Sequence, residues 1–328
     1  MKRIFPNLRF LTTIVILLVV NLIYSQDYTK VDVIVKTYPA SFSSVEKLAE
    51  AINKDFSKDD EKARAIFTWI ALNVKYDLTA YNTIKNGSGG VAYSYRNEQE
   101  KLAKELQFRQ DLANRALKSK KGVCQHYSAL FHVLCDLTGI KCLDIPGSSK
   151  TSLTHIGKLP VSSDHMWNAV KIGDSWKFID VTWASGSVDG KTGRFVSKFN
   201  DGYFFTSPDL FFLNHFPDDK RMLMIEKTEQ DFAQLPLYYG EYVRSGYEFT
   251  SPENGILSKD GTIPFQITDL PLTAVIAYAF SSENLIKPVA ISRKGNVSEF
   301  EIPMDSKSRG YLTIFINNKS IASYKIAR

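Results

Sequence analysis

One cysteine stands where its thiol could act as a nucleophile. Cys124 follows Gly122 and Val123 and opens an apolar run that predicts a helix over residues 124–138, ending near Gly139. A thiol at a helix N-terminus meets the positive end of the helix dipole, which favours the thiolate form. The backbone N–H at the same position would serve as one donor to an oxyanion. Because cysteines are also common as core residues of apolar helices, a nucleophilic role for Cys124 requires a base near its thiol.

A histidine and an aspartate supply the candidate base and its orienting acid. His165 stands where one strand begins, and Asp180 interrupts an apolar one. The two strands are predicted at Trp167–Ile172 and Trp176–Val181, around a Gly-Asp turn, and we expect them to pair antiparallel. This pairing would bring Asp180 beside the region of His165. The carboxylate could then accept a hydrogen bond from one ring nitrogen while the other nitrogen faces Cys124.

Three motifs, taken in this order, resemble those of the transglutaminase-like superfamily, which has a papain-like cysteine fold. They are Gly122-Val123-Cys124, His165-Met166-Trp167-Asn168-Ala169-Val170 and Asp180-Val181-Thr182-Trp183. The helix at residues 61–77 and the aromatic-rich stretch at residues 203–219 are similar to a branch represented by the kyphoscoliosis peptidase. The resemblance covers roughly residues 45–240 of the chain.

The resemblance implies acyl transfer through a Cys–His–Asp triad. Cys124 would attack a peptide or carboxamide carbonyl, His165 would move the proton, and Asp180 would hold the imidazole in place. Trp167 and Trp183 are the candidate substrate-binding residues, as walls of the acyl pocket. Release by water would make the protein a protease or amidase, and release by an amine would make it a transamidase. A catalytically inactive scaffold or an adhesion module is the alternative function.

The partners and cofactors follow from the same chemistry. The expected substrate is a protein or peptide, with cell-wall peptide left open, and no metal or organic cofactor is required. His126 makes a Cys-x-His metal site conceivable, but a cleft-lining or solvent-facing histidine is the simpler interpretation. Gln125 follows the nucleophile instead of preceding it, so we do not assign it to the oxyanion hole. A disulfide between Cys135 and Cys142 remains open.

Charge and hydropathy at the N-terminus predict export. Lys2, Arg3 and Arg9 accompany a short apolar run, and together they indicate a signal peptide over residues 1–25 of the 328. The product would be secreted or periplasmic, with membrane attachment only through an uncleaved signal. These three residues account for half of the formal charge of +6, so the remainder carries only +3. That charge is too weak to argue for a nucleic-acid partner.

The remaining pattern predicts an α+β fold in two parts. Residues 26–244 would form the transglutaminase-like domain, with a helical N-terminal part and the nucleophile helix packed on an antiparallel sheet. An extended stretch is expected at Val31–Lys36, and residues 184–202 are expected to form a long loop. Over residues 245–328 apolar residues alternate, which predicts an all-β, Ig-like sandwich. Asn317-Asn318 is the expected turn of its last hairpin.

Overall fold

The structure is a computed structural model that describes residues 27–86, 94–161, 163–259, 261–283, 285–305 and 307–327. The predicted signal peptide at residues 1–25 lies outside them. Within the described ranges, no helix has the length and apolar character needed to cross a membrane. The fold combines a helical part, a core sheet and C-terminal antiparallel strands, which confirms the predicted α+β class.

The N-terminal part is helical, as the sequence predicts. Its helices are α1 (Thr29–Val35), α2 (Val45–Asp55), α3 (Asp59–Asn73), α4 (Leu78–Lys85), α5 (Glu98–Ser119) and α6 (Cys124–Thr138). Helix α1 corrects the extended stretch expected at Val31–Lys36. Asp32 of α1 accepts hydrogen bonds from Arg64 Nη2 and from Thr68 Oγ1, each at 2.7 Å, and both donors belong to α3. These tertiary contacts outweigh the weak helix propensity of a valine-rich segment.

Helix α6, which begins at Cys124, is a central element of the first core. Its side chains between Tyr127 and Cys135 pack with those of α2 and α3. Tyr127 also donates from its hydroxyl to the carbonyl of Val74 at 2.7 Å. The helix ends at Gly139, whose φ of 84° is the left-handed conformation that glycine adopts without strain. The predicted helix and its stop are therefore confirmed.

The core sheet carries the other candidate residues. The strands of this part are β1 (Lys75–Tyr76), β2 (Lys121–Gly122), β3 (Cys142–Ser149), β4 (His165–Ile172), β5 (Ser175–Ile179), β6 (Gly186–Val188), β7 (Phe195–Ser197), β8 (Phe204–Thr206) and β9 (His215–Pro217). An antiparallel sheet runs in the order β8-β5-β4-β3-β9. Strands β4 and β5 form the predicted hairpin, with Ile172 opposite Ser175. The expected loop at residues 184–202 contains the short hairpin β6–β7, and two short helices, α7 (Val181–Ser185) and α8 (Pro208–Phe212), follow β5 and β8.

The C-terminal strands form two sheets that share one core. After helix α9 (Glu229–Gln234) come β10 (Leu237–Tyr238), α10 (Gly240–Val243), β11 (Glu248–Ser251), β12 (Ile256–Leu257), β13 (Thr262–Thr268), β14 (Ile276–Phe280), β15 (Lys287–Pro288), β16 (Ser292–Lys294), β17 (Val297–Pro303), β18 (Tyr311–Ile316) and β19 (Lys319–Ile326). One sheet contains β10, β12, β14, β15, β18 and β19, and the other contains β11, β13, β16 and β17. The predicted turn at Asn317-Asn318 joins β18 to β19, with φ values of 50° and 63°.

The second core includes residues upstream of the predicted boundary at residue 245. Strand β10 pairs antiparallel with β19, so that Leu237 lies opposite Ser323 and Tyr238 lies opposite Ala322. Tyr238 and Tyr242 belong to the apolar cluster of the sandwich. The division into residues 26–244 and 245–328 stays a prediction, and the packing ties the end of the first part to the second.

Candidate active site

The backbone before α6 sets the position of the candidate nucleophile. Strand β2 pairs in parallel with β1, which places Gly122 opposite Tyr76, and the N–H of Asp77 donates to the Gly122 carbonyl at 2.9 Å. A Cβ atom on Gly122 would lie 2.4 Å from the Cβ of His126, so only glycine fits without displacing the first turn of α6. Cys124 begins that turn and is half-buried.

His165 connects the nucleophile to the acid. It is the first residue of β4, and its Nε2 lies 2.8 Å from Oδ2 of Asp180. Cys124 also contributes to the raised pKa of the His165 ring. Because Nε2 is engaged by the carboxylate, Nδ1 is the ring nitrogen left for the thiol. The structure therefore pairs His165 with Asp180, and the triad that includes Cys124 stays a prediction.

Asp180 is a helix cap as well as a partner of the histidine. Strand β5 ends at Ile179, and Asp180 is the N-cap residue of α7 instead of the predicted strand residue. Its Oδ1 accepts a hydrogen bond from the backbone N–H of Trp183 at 3.0 Å. With its side chain fully buried, the carboxylate needs such donors on both oxygens.

The structure adds a fourth residue that the sequence analysis did not single out. Nε2 of His215, in β9, lies 3.0 Å from the same Oδ2 of Asp180. The His215 ring stacks on Phe211, with 3.8 Å between ring centroids, and the residue is 2% exposed. The sequence offered one signal for His215, its position inside an apolar aromatic stretch. A buried imidazole needs a polar partner, so this position indicates a specific contact.

The charges of this group are coupled. Burial opposes a charged ring at His165, but the Asp180 carboxylate outweighs it and raises the pKa of His165 to about 10. Burial alone would raise the pKa of Asp180, yet the charge of His165 and the hydrogen bonds from both rings hold it below its usual value. Burial lowers the pKa of His215, and Asp180 offsets only part of that effect. The arrangement is an imidazolium–carboxylate pair with a neutral second histidine.

The two predicted substrate-binding tryptophans have different environments. Trp183 is half-buried and stacks on the His165 ring, with centroids 5.0 Å apart and an interplanar angle of 18°. Trp167 is only 2% exposed and packs with Phe178 and Phe211 in an apolar cluster. Its burial corrects the expectation of a pocket wall, because a side chain inside the core has no surface to offer a substrate. Trp183 remains a candidate for substrate contact.

A second buried acid locks the nucleophile helix to the histidine strand. Asp144 of β3 accepts from Ser128 Oγ of α6 and from Asn168 Nδ2 of β4, both at 2.9 Å. Arg109 Nε of α5 donates to the other carboxylate oxygen at 2.9 Å. Burial would raise the pKa of Asp144, but hydrogen bonding and charge, first from His132 and then from Arg109, lower it. The carboxylate thereby fixes the spacing between the helix of Cys124 and the strand of His165.

Distances alone would allow a cation near the triad. His165, Asp180 and His215 each offer one ligand atom, and these atoms lie within 4.8 Å of one another. Both Nε2 atoms, however, lie within hydrogen-bonding distance of the same carboxylate oxygen, so an N–H on either ring would compete with a cation for this position. Cys135 and Cys142 are free, buried thiols, and the disulfide left open by the sequence is not formed.

Comparisons with known proteins agree with the sequence motifs. A family model described as the transglutaminase-like superfamily matches residues 90–181. The chain is 28% identical to the kyphoscoliosis peptidase of Homo sapiens over 235 residues, which cover 71% of this chain and 32% of that protein. The Mus musculus kyphoscoliosis peptidase is 28% identical over 66% of this chain and 30% of that protein, and hillarin of Drosophila melanogaster is 23% identical over 86% of this chain and 37% of that protein.

The chain thus spans about a third of the length of the curated relatives it matches. The segment that the family model matches, residues 90–181, contains Cys124, His165 and Asp180. Residues 90–181 therefore match a transglutaminase-like superfamily model, and the chain is similar to the kyphoscoliosis peptidases over a longer stretch.

Proposed function

We propose that the protein is a cysteine-dependent acyl-transfer enzyme that acts on peptide or carboxamide bonds. One observation carries this proposal: the buried His165 ring lies 2.8 Å from the Asp180 carboxylate, and the Cys124 side chain contributes to the raised pKa of that ring. This is the arrangement that a nucleophile, a proton carrier and an orienting acid require.

The chemistry uses only these side chains and a substrate. Cys124 Sγ forms a bond to the carbonyl carbon, and the tetrahedral oxyanion is held by backbone N–H groups at the start of α6. As the C–N bond breaks, His165 gives its proton to the leaving amine. Water or a second amine then attacks the thioester and loses a proton to His165, and the C–S bond breaks. Asp180 remains a carboxylate throughout and holds the ring.

Alkylation with iodoacetamide tests the proposed thiolate without a known substrate. We expect Cys124 to be carboxamidomethylated at pH 6 faster than free glutathione, and faster than the buried Cys135 and Cys142 of the same molecule. Peptide mass spectrometry separates the three sites. Replacing His165 by Gln should slow the reaction at Cys124 alone. A wild-type Cys124 that reacts no faster than glutathione would contradict the proposal and favour an inactive scaffold.

Hydrolysis is the preferred outcome of the acyl-enzyme, because water is always present and no amine channel is evident in the sequence. A glutamine-containing peptide with and without a fluorescent primary amine distinguishes the outcomes. Ammonia release without amine incorporation would support hydrolysis, whereas amine incorporation that depends on Cys124 would make the protein a transamidase.

We also propose that the enzyme acts outside the cytoplasm on a protein or peptide substrate. The basic and apolar character of residues 1–25 supports this location. Fractionation of expressing cells, followed by N-terminal sequencing of the product, tests it. A full-length product that stays in the cytoplasm would contradict export.

A further inference from the structure

His215 is held in place from several directions. It lies in β9 opposite Ser149 of β3, and its ring stacks on Phe211 at 3.8 Å with an interplanar angle of 12°. The preceding residue, Asn214, donates from Nδ2 to the carbonyls of Lys150 at 2.8 Å and Tyr238 at 3.2 Å. The ring therefore has little freedom to leave the carboxylate that it contacts.

Both polar neighbours of the His215 ring are hydrogen-bond acceptors. Nε2 lies 3.0 Å from the Asp180 carboxylate, and Nδ1 lies 3.2 Å from the backbone carbonyl of Phe211. A neutral imidazole has one N–H and can satisfy only one of them. The carboxylate is nearer and charged, so it takes the proton in preference to the neutral carbonyl. His215 is therefore a donor to Asp180 from Nε2.

The Asp180 carboxylate then receives donors on both of its oxygens. Trp183 N–H binds Oδ1, while the rings of His165 and His215 both bind Oδ2. Without His215, the described part of the chain would hold Oδ2 only through the bond to the reacting ring of His165. The carboxylate could then turn with that ring during proton transfer instead of keeping it aligned.

We infer that His215 is a positioning residue, which holds Oδ2 of Asp180 so that the carboxylate keeps the His165 ring directed at Cys124. This inference rests on the proposed acyl-transfer function, since it concerns the geometry of the same triad. His215 touches neither the thiol nor the substrate in this account, and it acts only through Asp180.

Three substitutions separate the hydrogen bond from simple packing. In His215→Gln, the side-chain amide nitrogen lies about as far from Cα as Nε2 of histidine does, so its N–H can still donate to Asp180. In His215→Asn, the amide is one methylene shorter, so its N–H stands near the position of Nδ1, towards the Phe211 carbonyl. His215→Phe keeps an aromatic ring on Phe211 but has no donor. The Gln and Asn variants are thus a matched pair that differ in where the donor lies.

The readout is the rate of iodoacetamide alkylation of Cys124 at pH 7, with thermal unfolding measured in parallel. We expect His215→Phe and His215→Asn to slow alkylation by at least roughly 10-fold, as for the loss of one charge-assisted hydrogen bond. We expect His215→Gln to stay within about 3-fold of wild type, less than the effect of one such bond. A merely structural role predicts instead that alkylation follows the melting temperature, with no distinction between Gln and Asn.

The outcomes separate this inference from the proposed function. If wild-type Cys124 reacts no faster than glutathione, the acyl-transfer proposal fails first. If the wild type is reactive and the Phe, Asn and Gln variants all match it, or all fall equally, the role of His215 is overturned. Should the variants not fold, ¹⁵N spectra of the wild-type imidazoles decide the matter. A His215 whose Nε2 carries no proton at pH 7 would contradict the inference.

Discussion

Three hydrogen bonds converge on the Asp180 carboxylate. Its two oxygens accept from Trp183 N–H, from His165 and from His215, and the side chain is fully buried. An asparagine here would keep the volume but turn an N–H group towards at least one of these donors. Keeping the side-chain volume therefore does not keep these hydrogen bonds.

Asp180→Asn should therefore damage both reactivity and stability. We expect alkylation of Cys124 to slow by roughly 10- to 1000-fold, within the ~10⁴-fold loss that the equivalent change causes in a serine protease. Unfolding free energy should fall by about 3 kcal/mol, because a buried imidazolium loses its counter-charge. Asp174→Asn, in the exposed turn between β4 and β5, is the control and should leave both quantities unchanged. Full reactivity in Asp180→Asn would assign the orienting role to another group.

The paired charges also predict a pH dependence of stability. The pKa of His165 is raised from 6.5 to about 10 in the folded protein. At a pH below 6.5 the ring is protonated in both folded and unfolded chains, and the ion pair contributes fully to stability. As the pH rises towards 10, the His165 ring of the unfolded chain is already deprotonated, and the folded ring loses its proton as well. The contribution of the ion pair to folding stability therefore disappears.

Chemical denaturation of wild type and His165→Gln at a series of pH values measures this contribution. The difference in unfolding free energy should be largest near pH 6 and should shrink steadily up to pH 10. A difference that is constant across this range would show that the ring is neutral in the folded protein.

At the scale of elements, the approach to the nucleophile depends on Gly122. A Cβ atom there would lie 2.4 Å from Cβ and 2.8 Å from Cγ of His126, so the first turn of α6 would have to shift. Since a displacement of about 1 Å can cost roughly 100-fold in rate, we expect Gly122→Ala to slow Cys124 alkylation by roughly 10- to 100-fold.

Gly190→Ala is the matched control for this substitution. A Cβ at Gly190 would meet no heavy atom within 4 Å, so this variant should react as wild type does. Equal rates for the two alanine variants would show that the entry to α6 tolerates a side chain and that the position of Cys124 does not depend on Gly122.

Elements with strong local signals were predictable from the sequence. Helix α6 has an apolar run with a glycine stop, and the β4–β5 hairpin has alternating apolar residues around a Gly-Asp turn. The predicted triad rests on these elements, because they carry its three residues. The helical state of α1 could not be predicted in this way, because it depends on the distant Arg64, which binds Asp32. His215 was missed for the same reason: its role appears only when β9 is placed beside β3.

At the scale of the whole molecule, the sandwich is tied to the triad through residues near Asn214. The division at residue 245 predicts two separately packed parts. Strand β10 connects them, because it precedes that boundary and pairs with β19, and Asn214 Nδ2 reaches Tyr238 O of β10 at 3.2 Å. Gly157 N–H also donates to Ala233 O at 2.8 Å, in the segment that leads to β10. His215 follows Asn214 in the chain and contacts Asp180, so these contacts also affect the position of the Asp180 carboxylate.

Asn214→Ala in the full-length chain tests this connection. The change leaves the buried carbonyls of Lys150 and Tyr238 without the donor seen in the structure, which should lower unfolding free energy by about 2 kcal/mol. Phe265→Leu is the control: Phe265 stacks on Phe300 inside the sandwich, so this variant should lose a similar amount of stability, about 1 to 3 kcal/mol, and should keep both hydrogen bonds of Asn214. At a temperature well below both unfolding transitions, we expect Asn214→Ala to slow alkylation of Cys124, because β9 is released and His215 loosens its hold on Asp180. Phe265→Leu should react at the wild-type rate. If both variants alkylate as the wild type does, the sandwich and the candidate active site are energetically independent despite the contacts between them.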